Sequence, residues 1–328
     1  MVLSTYLSDK FLQDLESQLN KKETELSFIK PQQITVLDLP SYCNYEDQII
    51  KNKTKPGLIN YSNAVYEGDV VLNQRQGFGV MKYECGRVFT GEWKQDLRHG
   101  KGVECFSSKC VYKGEFCEGK PDGCGEFTWP NGEVYSGQWK SGLRHGKGKW
   151  ISPDGDWYYG EWAESMANGW GKHIWHTGDW YEGQWLNCSK HGVGIEYYSE
   201  SGDKYIGEFK EGKPSGFGKY IYRNGSNFIG NYINGLKEGA GQFRTFNCHI
   251  YVGEFKNDVK EGLGMYRWPN GNEYRGNFVS DKKHGKGVMK WSDGVYYNGD
   301  WVDGIQNGQG TIIHADGRCE QIGNINSN

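Results

Sequence analysis

From Tyr66 onward an aromatic residue returns every 23 residues: Phe89, Tyr112, Tyr135, Tyr158 and Tyr181, then Tyr205 after one extra residue, then Phe228, Tyr251, Tyr274 and Tyr297. The one slip lies between Gly194 and Tyr205. Calling the leading aromatic position 1, position 3 is glycine in all eleven copies and positions 12 and 14 are glycine throughout. Position 5 is aromatic in every copy except at Val70, and position 18 is often aromatic, as at Trp129, Trp175 and Trp268. A strand places alternate residues on one face. Positions 1, 3 and 5 therefore share a face, as do 12, 14, 16 and 18, while Glu, Lys, Gln, Ser and Asn occupy the other. Glycine is poor inside a strand. Here it leaves room for a neighbouring ring to lie on bare backbone, so rings and backbone can form a core within one sheet.

The turn signals fit this reading. Asn131-Gly132, Asp154-Gly155, Asn224-Gly225 and Asp293-Gly294 shortly precede the next leading aromatic, where they predict tight hairpins with positive φ. Lys109 and Cys248 interrupt that signal, which predicts looser loops there. A polar loop is expected at positions 6 to 11. Each repeat then contributes two strands, and twenty-two strands at about 4.8 Å spacing extend on the order of 100 Å.

The pattern Y-x-G-x-W followed by H/N/D-G-x-G resembles the MORN repeat (membrane occupation and recognition nexus). "YSGQWKSGLRHGKGKWISPDG", residues 135–155, fits that motif nearly position for position. The resemblance implies an all-β fold, an elongated, single-layer, twisted antiparallel sheet of about eleven 23-residue hairpins. It also implies scaffolding or tethering, usually without catalysis.

Composition narrows the rest. Hydrophobic residues make up 36% of the chain, yet aromatics reach 15% and glycine counts 49, which leaves little aliphatic material for a globular core and excludes collagen and simple disorder. A net charge of −3 gives no general electrostatic case for nucleic acid. No run approaches the ~18 apolar residues of a membrane span, and the N-terminus lacks a signal-peptide pattern, so a soluble intracellular protein is expected. The nine cysteines include no C-x-x-C, and Cys105, Cys110, Cys117 and Cys124 are too loosely spaced for a typical zinc site. Reduced, packed thiols are the main expectation, with redox chemistry left open. Neither a metal nor a cofactor is expected.

"LRHGKG" at 97–102 and again at 143–148 looks like chemistry. A phosphate loop needs Ser or Thr after its lysine, and here Gly148 follows Lys147. Position 11 is His99, His145, His191 or His284 in four repeats, but Gln76, Asp122, Asn168, Ser215 or Glu238 in others. The slot asks for polarity before a glycine rather than for histidine. Nucleophile elbows and metalloprotease motifs are both missing.

Residues 1–63 read as an extension. Leu7, Phe11, Leu15 and Leu19 fall at i, i+4 steps with Leu12 beside them, predicting an amphipathic helix over about 8–26 with Ser8 as N-cap. Pro31 ends any helix, 34–39 is a strand candidate, and 41–63 reads as linker. Residues 1 to 60 carry no period in this reading. The repeats occupy 64–318, and 319–328 is a tail with no room for a further domain. The helix could fold back to cap the first repeat's open edge, dock in a partner's groove or lie on a membrane.

Three functional classes follow. The first is a structural subunit of a cytoskeletal assembly, with other protein subunits as partners and possibly a second MORN protein. Short MORN chains resemble radial spoke head proteins, which points to the axoneme of cilia and flagella. The second is a cortical scaffold binding phospholipid through Arg98, Lys101, Arg144, Lys147, Lys282 and Lys283. The third is an adaptor capturing a peptide on the aromatic face. The candidate partner contacts are Trp93, Trp139, Trp162 and Trp185, with Leu7, Phe11, Leu15 and Leu19 on the helix.

Overall fold

The computed structural model describes residues 57–325, together with Ser17, Asn20, Lys21 and Thr24. Those four take helical backbone with exposed side chains, and Thr24 Oγ1 donates to the Asn20 carbonyl at 3.0 Å. The rest of the expected helix, including Leu7, Phe11, Leu15 and Leu19, and the strand candidate at 34–39 lie outside the described residues.

The remainder is all-β, with 24 strands in antiparallel pairs. The chain divides into two compact units. One is Gln32–Ser189; the other joins Lys190–Asn328 with Met1–Pro31.

Two strands lie beyond the expected twenty-two. Gly57–Tyr61, read as linker, pairs with Ala64–Val71 in the register Gly57↔Gly68. That register matches Gly79↔Gly91 one repeat on, so Gly57 and Tyr61 occupy positions 14 and 18 of a half-repeat. The period therefore begins earlier than the sequence reading placed it. At the other end, Cys319–Ile325, read as tail, pairs with Ile305–Ile313 as a leading strand without its aromatic.

The two kinds of turn exchange the roles expected of them. Within a repeat the link is two residues at positions 7 and 8, not a loop from 6 to 11. Gln95 and Asp96 (φ 48° and 65°) and Ser141 and Gly142 (φ 50° and 88°) show the pattern, both left-handed as in type I′ turns. Positions 9 to 11 already belong to the next strand, as in Leu143–Ile151. The Asn-Gly link between repeats is a three-residue turn. Gly132 N donates to the Trp129 carbonyl at 3.0 Å and Trp129 N to the Glu133 carbonyl at 2.8 Å, with positive φ at Gly132 alone. Lys109 (φ 64°) and Cys248 (φ 63°) adopt that same left-handed slot and keep both hydrogen bonds. Their loops are as tight as the others, because the hydrogen bonds outweigh the roughly 1–2 kcal/mol of left-handed strain.

Glycine serves two purposes. A Cβ at Gly148 (position 14) would lie 2.3 Å from the Tyr135 Oη, and one at Gly137 (position 3) 2.4 Å from the Gly148 Cα. Those glycines admit the ring, as expected. The glycine at position 12 does something else. Gly146 (φ 59°) sits in a β-bulge, between the register pairs Gly137↔Gly148 and Gln138↔His145, and a Cβ there would meet the Gln138 side chain rather than a ring.

Candidate functional site

The leading aromatics form a ladder within each unit. Tyr135 meets Trp139 of its own repeat and Trp162 of the next, both at 5.2 Å and near-perpendicular. Tyr251 does the same with Phe255 and Phe278, each at 5.1 Å. Such edge-to-face pairs contribute about 0.5–1.5 kcal/mol each beyond the area they bury. Each leading tyrosine also donates its hydroxyl to the backbone carbonyl three residues on, as from Tyr135 to Gln138 at 3.0 Å and from Tyr274 to Asn277 at 3.0 Å. Burial raises the Tyr135, Tyr158, Tyr205 and Tyr251 hydroxyls well above the ordinary phenol range. Val70 breaks the aromatic rule at position 5 for a reason. A position-5 ring packs on the leading ring of the preceding repeat, and the half-repeat before Val70 has none.

The four tryptophans named as partner contacts belong to this ladder. Trp93 (4% exposed), Trp139 (8%), Trp162 and Trp185 (7% each) are buried. Their indole N–H groups donate to the carbonyls of Gly79, Gly125, Gly148 and Gly171 at 3.1–3.2 Å. Both the ring and the N–H group are thus engaged inside the chain, which leaves almost none of the stripe to a partner.

The basic residues divide into two groups. Position 10 places Arg75, Arg144 and Lys283 over the position-5 ring of the next repeat, 4.3 Å from Trp93, 4.4 Å from Trp162 and 3.8 Å from Trp301. Arg144 also donates to the Ser165 carbonyl at 2.8 Å, and burial lowers the pKa of both Arg144 and Lys283. Arg98 lies 5.4 Å from the Phe116 ring and pairs, with Arg87, to the buried Glu104 carboxylate. These are structural cations. Lys101, Lys147 and Lys282 lie at the surface.

Three further roles escaped sequence reasoning. The position-4 acid or amide accepts the N–H of position 13 across the bulge, as Glu115 does from Cys124 at 2.8 Å and Glu161 from Trp170 at 2.9 Å. That column is Asp, Glu, Asn or Gln in all eleven repeats, a signal legible in the sequence. Position 11 reaches the next repeat's turn: Gln76 accepts from Gln95 N, Asp122 from Ser141 N and Glu238 from Asn257 N, at 2.9–3.0 Å. This accounts for the polar demand at the "RHGKG" slot, where His145 is exposed. The third role is the position-10 cation. Among the described residues all eight cysteines are free, and no three metal-ligating side chains converge.

The MORN-repeat family profile matches ten segments: 66–84, 89–111, 112–134, 135–157, 181–202, 205–227, 228–246, 251–273, 274–296 and 297–317. The chain belongs to the MORN-repeat family. The stretch 158–180, which the profile passes over, is built as a MORN repeat all the same: Tyr158 donates to the Glu161 carbonyl at 3.0 Å and packs on Trp162 at 5.1 Å. MORN repeats are protein-interaction scaffolds, generally without catalysis. No curated protein matches the chain by sequence. Among solved structures, the SAS-4 (dCPAP) TCP domain of Drosophila melanogaster, in complex with a proline-rich motif of Ana2, is 14% identical with a TM-score of 0.25 over 61% of this chain and 83% of that one. The Danio rerio CPAP TCP10 domain is 8% identical with a TM-score of 0.17 over 81% and 99%.

Proposed function

We propose that this MORN-repeat chain is a non-catalytic structural subunit joining protein partners in a cytoskeletal assembly, with the radial spoke head of the ciliary or flagellar axoneme as its setting. One observation carries the scaffold reading. Every motif that resembles chemistry recurs with the period, and the sheet itself engages the acids and amides at position 4, the cations at position 10 and, at position 11, Gln76, Asp122, Glu238 and Glu261. The apolar surface open to partners runs along the two-residue turns. Leu97, Leu143 and Leu186 are exposed there in one unit, and Ile233, Leu236, Val302 and Ile305 in the other. Exposed apolar rows of this kind mark interaction surfaces. The axonemal setting rests on the likeness of short MORN chains to spoke head proteins. The lipid reading has less support, since Arg98, Arg144 and Lys283 are held over rings.

Detergent extraction of the source cells, with this chain followed by mass spectrometry, tests the proposal. Retention in the salt-resistant axonemal pellet, with cross-links to neighbouring subunits through the turn rim, is the expected result. Release with membrane lipid would overturn it in favour of the cortical scaffold.

A further inference from the structure

On the face opposite the aromatic ladder, positions 2, 13 and 15 come together. In repeats 7 to 9 positions 2 and 13 are apolar, and so is position 15 of repeat 9, while Lys219 and Gln242 hold position 15 in the other two. Phe217, Ile229, Val252 and Met265 form one cluster, with Ala240 and Ile250 packed against it. Val252 pairs directly with Met265 across the ladder. Val252 is 0% exposed and Met265 2%. Elsewhere at position 2, Lys113 and Asn298 are exposed, Thr90 and Ser136 are half-buried, and Tyr159 (8%) and Glu182 (6%) are buried but less completely than Val252. A sheet face buried to this degree has an apolar body against it.

The chain supplies a candidate for that body. The compact unit holding these strands also takes in Met1–Pro31, although Gly57–Tyr61 and the first repeats belong to the other unit. Within Met1–Pro31, Leu7, Phe11, Leu12, Leu15 and Leu19 fall on one helical stripe. Ser17, Asn20, Lys21 and Thr24, which are helical and exposed, fall on the opposite side of that helix. The dimensions agree as well. A helix over 8–26 is about 28 Å long. The cluster and its Ile206 margin cross the strands from Asp203–Lys210 to Val259–Arg267, six strands at about 4.8 Å.

We propose that residues 7–26 seat the Leu7, Phe11, Leu15 and Leu19 stripe on the apolar back face of repeats 7 to 9, as a clasp within one chain. The first repeat's edge needs no helix, because the half-repeat Gly57–Tyr61 already pairs with it.

The test uses the full chain with a benzophenone cross-linker carried at position 15 in place of leucine. Irradiation is expected to give adducts within monomeric chains, mapping to 217–265. A parallel hydrogen-exchange measurement is expected to show amides of 8–26 protected by about tenfold or more. Leu15→Asp should abolish that protection while the strands keep theirs. Adducts between two copies would assign the patch to a second chain and overturn the clasp. Adducts on the aromatic face or in repeats 1 to 4, or unprotected amides over 8–26, would overturn it too. None of these outcomes bears on whether the chain stays in the axonemal pellet.

Discussion

Repeats 1 to 4 and repeats 7 to 9 carry the same aromatic ladder on one face and differ on the other. At position 2 the first group has Glu67, Thr90, Lys113 and Ser136; the second has Ile206, Ile229 and Val252. Their cross-strand neighbours are mixed: Ser136 faces Lys149 and Val252 faces Met265, while Thr90 faces Val103 and Ile229 faces Lys219 and Gln242. Both groups nonetheless form the same hairpins, the same bulge at position 12 and the same tyrosine-to-carbonyl bonds. Folding in this protein is thus carried by one face of the sheet, and the second face is free to differ between repeats. That freedom lets one stretch stay polar while another gathers a buried apolar cluster.

The largest expected effect strikes both groups alike. Burial, helped by nearby Asp69, raises the Tyr66 hydroxyl to about 12, and burial likewise raises Tyr135 and Tyr251. An unfolded phenol ionises near pH ~10, so above that pH the unfolded chain releases protons the folded chain keeps. The stability from these groups is complete below the unfolded value and drains away as pH climbs through the folded one. Phenolate absorbance and loss of β circular dichroism should therefore appear together between about pH 10 and 12. Phenolate forming well before the sheet melts would show the ladder tyrosines to be open to water.

Next come the ladder rings. Trp139→Ala in the first group and Phe255→Ala in the second should each cost about 3–5 kcal/mol in urea unfolding. A large disparity would break the claim that the ladder is equivalent in both. The back face gives the opposite expectation. Val252→Asp places an unpaired charge in a closed apolar site and should cost about 3–5 kcal/mol, whereas Ser136→Asp at the same position should stay within about 0.5 kcal/mol. Similar costs at the two sites would mean that nothing covers repeats 7 to 9. Smaller still, Lys109→Gly and Cys248→Gly relieve a left-handed non-glycine residue in each group and should raise stability by about 1 kcal/mol. His145→Ala should move the midpoint least, within about 0.5 kcal/mol, and leave assembly intact.

Much of this was legible in the chain. The eleven leading aromatics, the glycines at positions 3 and 14 and the two-strand repeat all follow from a period of 23 read with a strand's alternation. The bulge was harder to read. Glycine at position 12 looked like another gap for a ring, and only the register pairing Gln138 with His145 reveals it as the residue that absorbs an extra position. The turns misled for a related reason. Asn131-Gly132 is a strong local hairpin signal, whereas Gln95-Asp96 and Asn187-Cys188 take left-handed φ because both flanking strands are already paired. The half-repeats escaped notice because each lacks the aromatic that announces the others.

What the sequence determined alone is the repeating unit: which residues face inward, where glycine must stand and that the strands pair with their sequence neighbours. Those depend on interactions within about one period, and they recur often enough to be read. What only the tertiary structure decided is how the side chains are used. Trp93, Trp139, Trp162 and Trp185 became core because their N–H groups meet carbonyls of the preceding repeat. Arg144 and Lys283 became structural because a ring of the following repeat lies beneath them. Val252 became a buried position because it shares a cluster with Phe217 and Ile229 of the two preceding repeats. Each of these outcomes depends on a partner at least fourteen residues away, a distance over which composition and local pattern say which groups are present but not which of them meet.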